Sequence, residues 1–313
     1  MKAVVFAYSN VGDRCLRVLR ARGVEVPLVV THRDAPGEAL WYQRVADTAE
    51  ELGLRCIFGE ESSEPELAAA VHRAAPDIIF AFYYRSMLPM SVLGLAPMGA
   101  FNMHGSLLPR YRGRAPTNWA VLHGETETGA TLHEMQATPD SGDIVDQSAV
   151  PILPDDTAEQ VFDKVTVAAE QVLWRCLPAM MAGAIPRRPN DVAHGSYFGR
   201  RRPEDGRIDW SRPAAEVYNL IRAVAPPYPG AFTEVAGVRL VIADARRLAH
   251  GDRVAGSGAG ARPGLRVVAG RIVAVCGDGE QIAVRAIRSD DAPVQADSLL
   301  ALLDADSPSQ GNP

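Results

Sequence analysis

KAVVFAYSNVGDRCLRVLRARGVEVPLVVTH, residues 2–32, decides the fold class. Lys2–Tyr8 reads as a strand, Val11–Arg22 as a helix, and Val24–His32 as a second strand. The same alternation continues outward. Trp41–Leu52 has a helical pattern, and Asp77–Tyr84 (DIIFAFYY) is almost wholly apolar, as a strand covered on both faces should be. Gly99–Ser106 reads as a strand, Pro116–His123 as a short helix and Thr128–Met135 as a further strand. Strands alternating with helices predict an α/β domain with a Rossmann-like, doubly wound, mostly parallel sheet. Such a sheet places its ligand crevice at the carboxyl ends of the strands. The first strand–helix turn, Ala7-Tyr8-Ser9-Asn10-Val11-Gly12, lacks the three glycines of a dinucleotide fingerprint, so the sheet does not imply NAD. Gly256-Ser257-Gly258-Ala259-Gly260 follows no strand and meets Pro263, and reads as a loop.

A long helix is expected from Thr157 to Met181, with Asp155, Asp156 and Thr157 as capping residues and Gly183 and Pro186 past its end. Beyond it the pattern changes. A helix over Ala214–Val224 precedes short β runs at Gly230–Val235, Val238–Ala243, Gly264–Val268, Arg271–Cys276 and Gln281–Ile287, the spacing of a small OB-like β-barrel. The expected organisation is a first domain over 1–189, a linker over 190–203, a barrel-like domain over 204–303 and a disordered tail over 304–313.

Two domains suit 313 residues of ordinary globular composition, 47% hydrophobic and 22% charged. A formal charge of −6 argues against holding nucleic acid by net field. The four cysteines are widely separated, without metal-ligand spacing, so neither a zinc site nor a disulfide framework is expected. No apolar run reaches the roughly 18–20 residues that span a bilayer, and the N-terminus enters a strand directly. A cytoplasmic protein with no membrane partner is the expectation.

Residues 101–116, FNMHGSLLPRYRGRAP, carry the candidate chemistry. Strand alternation puts Asn102 and His104 on one face, at the strand's carboxyl end. An amide N–H there can donate to a developing oxyanion, and an imidazole can move protons near neutral pH. Equally, the two can satisfy buried polar groups at a strand end. Asp140, in the loop after Thr128–Met135, adds a carboxylate that the topology lets approach His104. The other histidines, His32, His72, His123, His133, His194 and His250, have no partner at ligand spacing and read as structural or surface residues.

Taken with HGETETGATLHEM (residues 123–135) and the loop ending DSGDIV, this run resembles the formyltransferases that use 10-formyltetrahydrofolate. Their pattern N-x-H-x-S-L-L-P-x-x-R-G, followed by a loop aspartate, is met at every position. The resemblance implies Asn102 as oxyanion donor, His104 as general acid/base and Asp140 as the carboxylate that raises its pKa. It implies a folate pocket built from Ser86, Met87 and Leu88, from Gln136, Ala137, Thr138, Pro139 and Asp140, and from Arg114. The donor would be 10-formyltetrahydrofolate, with neither metal nor NAD.

Within that group FAYSN, THRDAPGEALW, FAFYYRSML and FGRRRPEDGRIDW are similar to the UDP-4-amino-4-deoxy-L-arabinose formyltransferases, here without a dehydrogenase half. The implied acceptor is a UDP-linked amino sugar on the route to lipid A modification and cationic-peptide resistance. A dTDP-linked amino sugar and methionyl-tRNA are the alternatives. The tRNA is disfavoured, because residues 204–313 carry 12 arginines and no lysine against 14 acidic residues. Arg200 and Arg201 are candidate diphosphate ligands or solvated turn residues, and Tyr228 either stacks on a base or packs a turn.

Overall fold

The computed structural model describes residues 1–34, 40–249, 252, 254 and 262–306. Two compact units emerge. The first comprises residues 1–117, 127–151 and 161–200, and the second residues 118–126, 152–160 and 201 onward.

The first unit is built on a seven-stranded sheet: β1 (Lys2–Ala7), β2 (Glu25–Thr31), β3 (Cys56–Phe58), β4 (Ile78–Phe82), β5 (Ala100–His104), β7 (Glu127–Glu134) and β8 (Ile144–Pro151). A short pair, β6 (Arg112–Gly113) with β9 (Tyr197–Phe198), lies apart from it. Strand order is β3-β2-β1-β4-β5-β7-β8. The first five strands of that order are parallel, and the last two add antiparallel. All five residues of β4 are buried, as expected of a strand covered on both sides. Val4 and Phe6 of β1 share a cluster with Leu67, Ala70 and Val71 of one helix, α3 (Glu64–Ala74). On the opposite face α1 (Ser9–Ala21) lies so close that a Cβ on Gly12 would come within 3.1 Å of the Ala7 Cβ and 2.9 Å of a Val45 methyl carbon. Glycine is needed there for that approach. Between α1 and α3 the chain forms α2 (Val45–Glu51), shorter than the expected helix over 41–52.

The second unit contains an antiparallel half-barrel: β10 (Ala231–Val235), β11 (Val238–Arg247), β12 (Gly264–Val268), β13 (Arg271–Val275), β14 (Gln281–Ser289) and β15 (Ala292–Pro293). Its buried face, including Leu240, Ile242, Ala274 and Ile282, packs with Val217, Tyr218 and Ile221 of the helix Ala214–Ala223.

Three boundaries differ from the sequence expectation. Residues 118–126 and 152–160 belong to the second unit, because Asn118 donates to the Ala223 carbonyl (2.9 Å), Arg222 to the Asp156 carbonyl (3.0 Å) and Tyr218 to Asp155 (2.6 Å). A linear division cannot capture such long-range bonds. The segment 190–203, expected as a linker, supplies β9, which pairs with β6. The tail expected from Asp304 begins as helix, since Ala296–Asp306 is helical with Leu299 buried. Residues 307–313 and the Gly256–Gly260 stretch lie outside the described residues.

Candidate functional site

β5 ends at His104, and Gly105 then turns the chain so tightly against the Tyr83 hydroxyl that no Cβ fits. Antiparallel pairing with β7 sets Asn102 opposite His133 and His104 opposite Thr131. Cross-strand partners share a face, so Asn102, His104 and His133 project to the same side.

Asp140 reaches that face from the loop after β7. Its backbone is left-handed (φ 52°), a conformation aspartate tolerates better than most residues. Asn190 holds it there, donating to the Asp140 and Gly142 carbonyls at 3.0 and 3.2 Å. One carboxylate oxygen accepts the Gly113 N–H at 2.8 Å. The other lies 3.6 Å from His104 Nδ1, 3.4 Å from His133 Nε2 and 3.5 Å from Asn102 Nδ2. Burial opposes the charge on Asp140. His104, His133 and the Gly113 N–H outweigh it and hold the carboxyl well below the usual carboxylate range. His104 Nε2 donates to the Tyr111 carbonyl at 2.8 Å, which leaves Nδ1 as the basic nitrogen facing Asp140.

The depressed Asp140 carboxyl gives a signed pH dependence. A carboxyl with a lowered folded-state pKa stabilises the fold above its unfolded value, near pH 4, and loses that contribution as pH falls below it. Asp140→Asn should therefore lower stability by about 2 kcal/mol at pH 7. The gap between variant and wild type should close toward pH 2. Thermal midpoints measured across that range check this, and a gap that widens with acid would refute it.

These groups floor a cavity of about 440 Å³. Ser86, Met87, Leu88, Arg114, Gln136, Pro139 and Asp140 line it, as does Tyr197, which no sequence pattern singled out. Ala137 and Thr138 are exposed and lie outside that lining. The wall from Tyr83 to Leu88 is braced by His32. Its ring stacks on Tyr84 at 4.1 Å, its Nε2 accepts the Arg85 N–H at 3.2 Å, and its Nδ1 meets Glu60 at 3.2 Å. Burial pushes the His32 pKa down despite Glu60.

Arg200, Arg201 and Tyr228 are not among the residues lining this cavity. Arg200 is exposed at the end of the first unit. Arg201, in the second unit, stacks on Trp119 at 4.9 Å and donates to the Asp205 carbonyl at 3.0 Å. Tyr228 packs against the second unit's core.

His133 corrects an expectation. It is not an isolated structural histidine but a neighbour of both Asn102 and Asp140, buried to 2% exposure. Its alternation with Thr131 placed it on one strand face, but only the β5–β7 register brings it opposite Asn102. Among the described residues no group of three His, Cys, Asp or Glu side chains could hold a metal ion, and no helix is long and apolar enough to cross a membrane.

Several solved structures share this fold. An N-formyltransferase from Helicobacter canadensis, in complex with folinic acid and dTDP-3-aminofucose, aligns with TM-score 0.70 at 18% identity, over 91% of this chain and 99% of its own. WlaRD, a sugar 3N-formyltransferase studied with dTDP and 5-N-formyl-THF, gives TM-score 0.68 at 17% identity over 93% and 98%. HypX from Aquifex aeolicus, in complex with tetrahydrofolic acid, gives 0.66 at 17% over 96% of this chain and 47% of its own. By sequence, residues 1–177 match the formyl transferase family and residues 201–302 its C-terminal domain. With both matches covering most of its length, the chain belongs to the formyltransferase family of enzymes.

Proposed function

We propose that this enzyme transfers the formyl group of 10-formyltetrahydrofolate to the 4-amino group of UDP-4-amino-4-deoxy-L-arabinose. The carrying observation is the cavity floored by Asn102, His104 and Asp140, with Ser86–Leu88, Gln136 and Pro139 in its walls. In this reading the acceptor nitrogen attacks the formyl carbon, and the carbonyl electrons move onto the formyl oxygen. An Asn102 N–H stabilises that oxyanion. His104 Nδ1 takes the proton from the attacking nitrogen, and the resulting imidazolium faces Asp140. Collapse of the intermediate breaks the bond from the formyl carbon to N10, which leaves with a proton. The product would feed lipid A modification and cationic-peptide resistance, as the sequence resemblance implies.

A dTDP-linked amino sugar is the second reading, favoured by the dTDP ligands of two proteins of similar fold. Competition between UDP- and dTDP-4-amino sugars, with 10-formyltetrahydrofolate as donor and the product followed by mass, decides between them. The expected outcome is a gain of about 28 mass units, the mass of the transferred CO, on the UDP sugar. Formylation of methionyl-tRNA alone would refute both sugar readings and leave the donor chemistry standing.

A further inference from the structure

Two antiparallel backbone bonds, at 2.8 and 2.9 Å, tie Arg188 to Ile144 at the start of β8. Continuing that register by two residues sets Asn190 beside Gly142, in the loop that carries Asp140. There the Asn190 side chain donates to the Asp140 carbonyl at 3.0 Å and to the Gly142 carbonyl at 3.2 Å. Carbonyls only accept, so the amino group of Asn190, not its amide oxygen, faces the loop. The opposite side of the loop is closed as well. A Cβ on Gly142 would collide with the Glu134 carbonyl, so the chain there already lies against the end of β7. Between these two contacts Asp140 is held at φ 52°, a sparsely populated conformation that persists where its surroundings fix it. That turn aims the carboxylate. One oxygen accepts the Gly113 N–H at 2.8 Å, and the other lies 3.6 Å from His104 Nδ1.

We propose that Asn190 is a positioning residue for formyl transfer: by bridging the carbonyls of residues 140 and 142 it fixes the left-handed turn that holds the Asp140 carboxylate toward His104. This rests on the formyl-transfer reading, and absent wild-type turnover would fail that reading while the spectra below still test the bridge. Asn190 is not among the residues lining the cavity, so it acts through Asp140 and not on a substrate. A displacement of about 1 Å in a catalytic group can cost on the order of 100-fold in rate, which is the scale on which a loosened turn would be felt.

Spectra of the wild type test the bridge without any variant. Both side-chain amide protons of Asn190 should exchange with solvent about 10-fold or more slowly than those of a free asparagine amide. Exchange at the free rate overturns the proposal. In Asn190→Ala the Gly113 amide proton should move upfield and exchange faster, because its carboxylate acceptor is no longer held in place. The same variant should lose about 10- to 100-fold in kcat with a smaller change in donor KM. In an Asp140→Asn background, Asn190→Ala should cost kcat less than about threefold further, because two residues acting through one group are not additive. The thermal midpoint should still fall in that background, which separates a positioning role from a merely structural one. Full multiplication of the two kcat losses, wild-type kcat in folded Asn190→Ala, or a Gly113 amide unchanged in that variant would overturn the proposal.

Discussion

Asn102→Ala is expected to lower kcat by about 100- to 1,000-fold, the usual cost of removing one oxyanion donor. The fold should hold. Asn102 is a partly exposed residue whose side chain bonds to His133 and Asp140, and its backbone stays paired with β4 and β7 whatever side chain it carries. Donor KM should change little, since the Ser86–Leu88, Gln136 and Pro139 walls are untouched. Lower kcat with preserved KM is the signature of an interaction made in the transition state. Steady-state formylation with the donor varied, beside a thermal melt, reads both. A variant that turns over at the wild-type rate would remove Asn102 from the chemistry.

His104→Ala should be comparably severe, about 100- to 10,000-fold in kcat, because it deletes the proton acceptor rather than one hydrogen bond to charge. Its structural cost is small by comparison. The Tyr111 carbonyl that His104 holds at 2.8 Å also lies 3.3 Å from the Ser106 hydroxyl, whose shorter bond is to the Arg110 carbonyl at 2.6 Å. Steady-state kcat measured beside a thermal melt checks this, and wild-type turnover in the folded variant would remove His104 from the chemistry.

Much of this was legible along the chain. The apolar run of β4, the strand–helix alternation and the half-barrel's short strands follow from side-chain periodicity, a local property. Asn102 and His104 could be placed on one strand face by the same rule, and both line the cavity. Domain limits were less legible. Residues 118–126 and 152–160 join the second unit through hydrogen bonds to residues 63 to 105 positions away, which no composition shift announces. The arginines of 200–202 have the chemistry for phosphate, but the contacts of Arg201 with Trp119 and the Asp205 carbonyl come only from the fold.

The sequence by itself determined which residues can do chemistry and which strand face they share, because alternation is written into every strand. Only the tertiary structure decided how they meet. Antiparallel addition of β7 beside β5 set His133 against Asn102, and a left-handed loop residue held by Asn190 brought one Asp140 oxygen within 3.6 Å of His104, His133 and Asn102. Register and loop closure belong to pairs of segments distant in sequence.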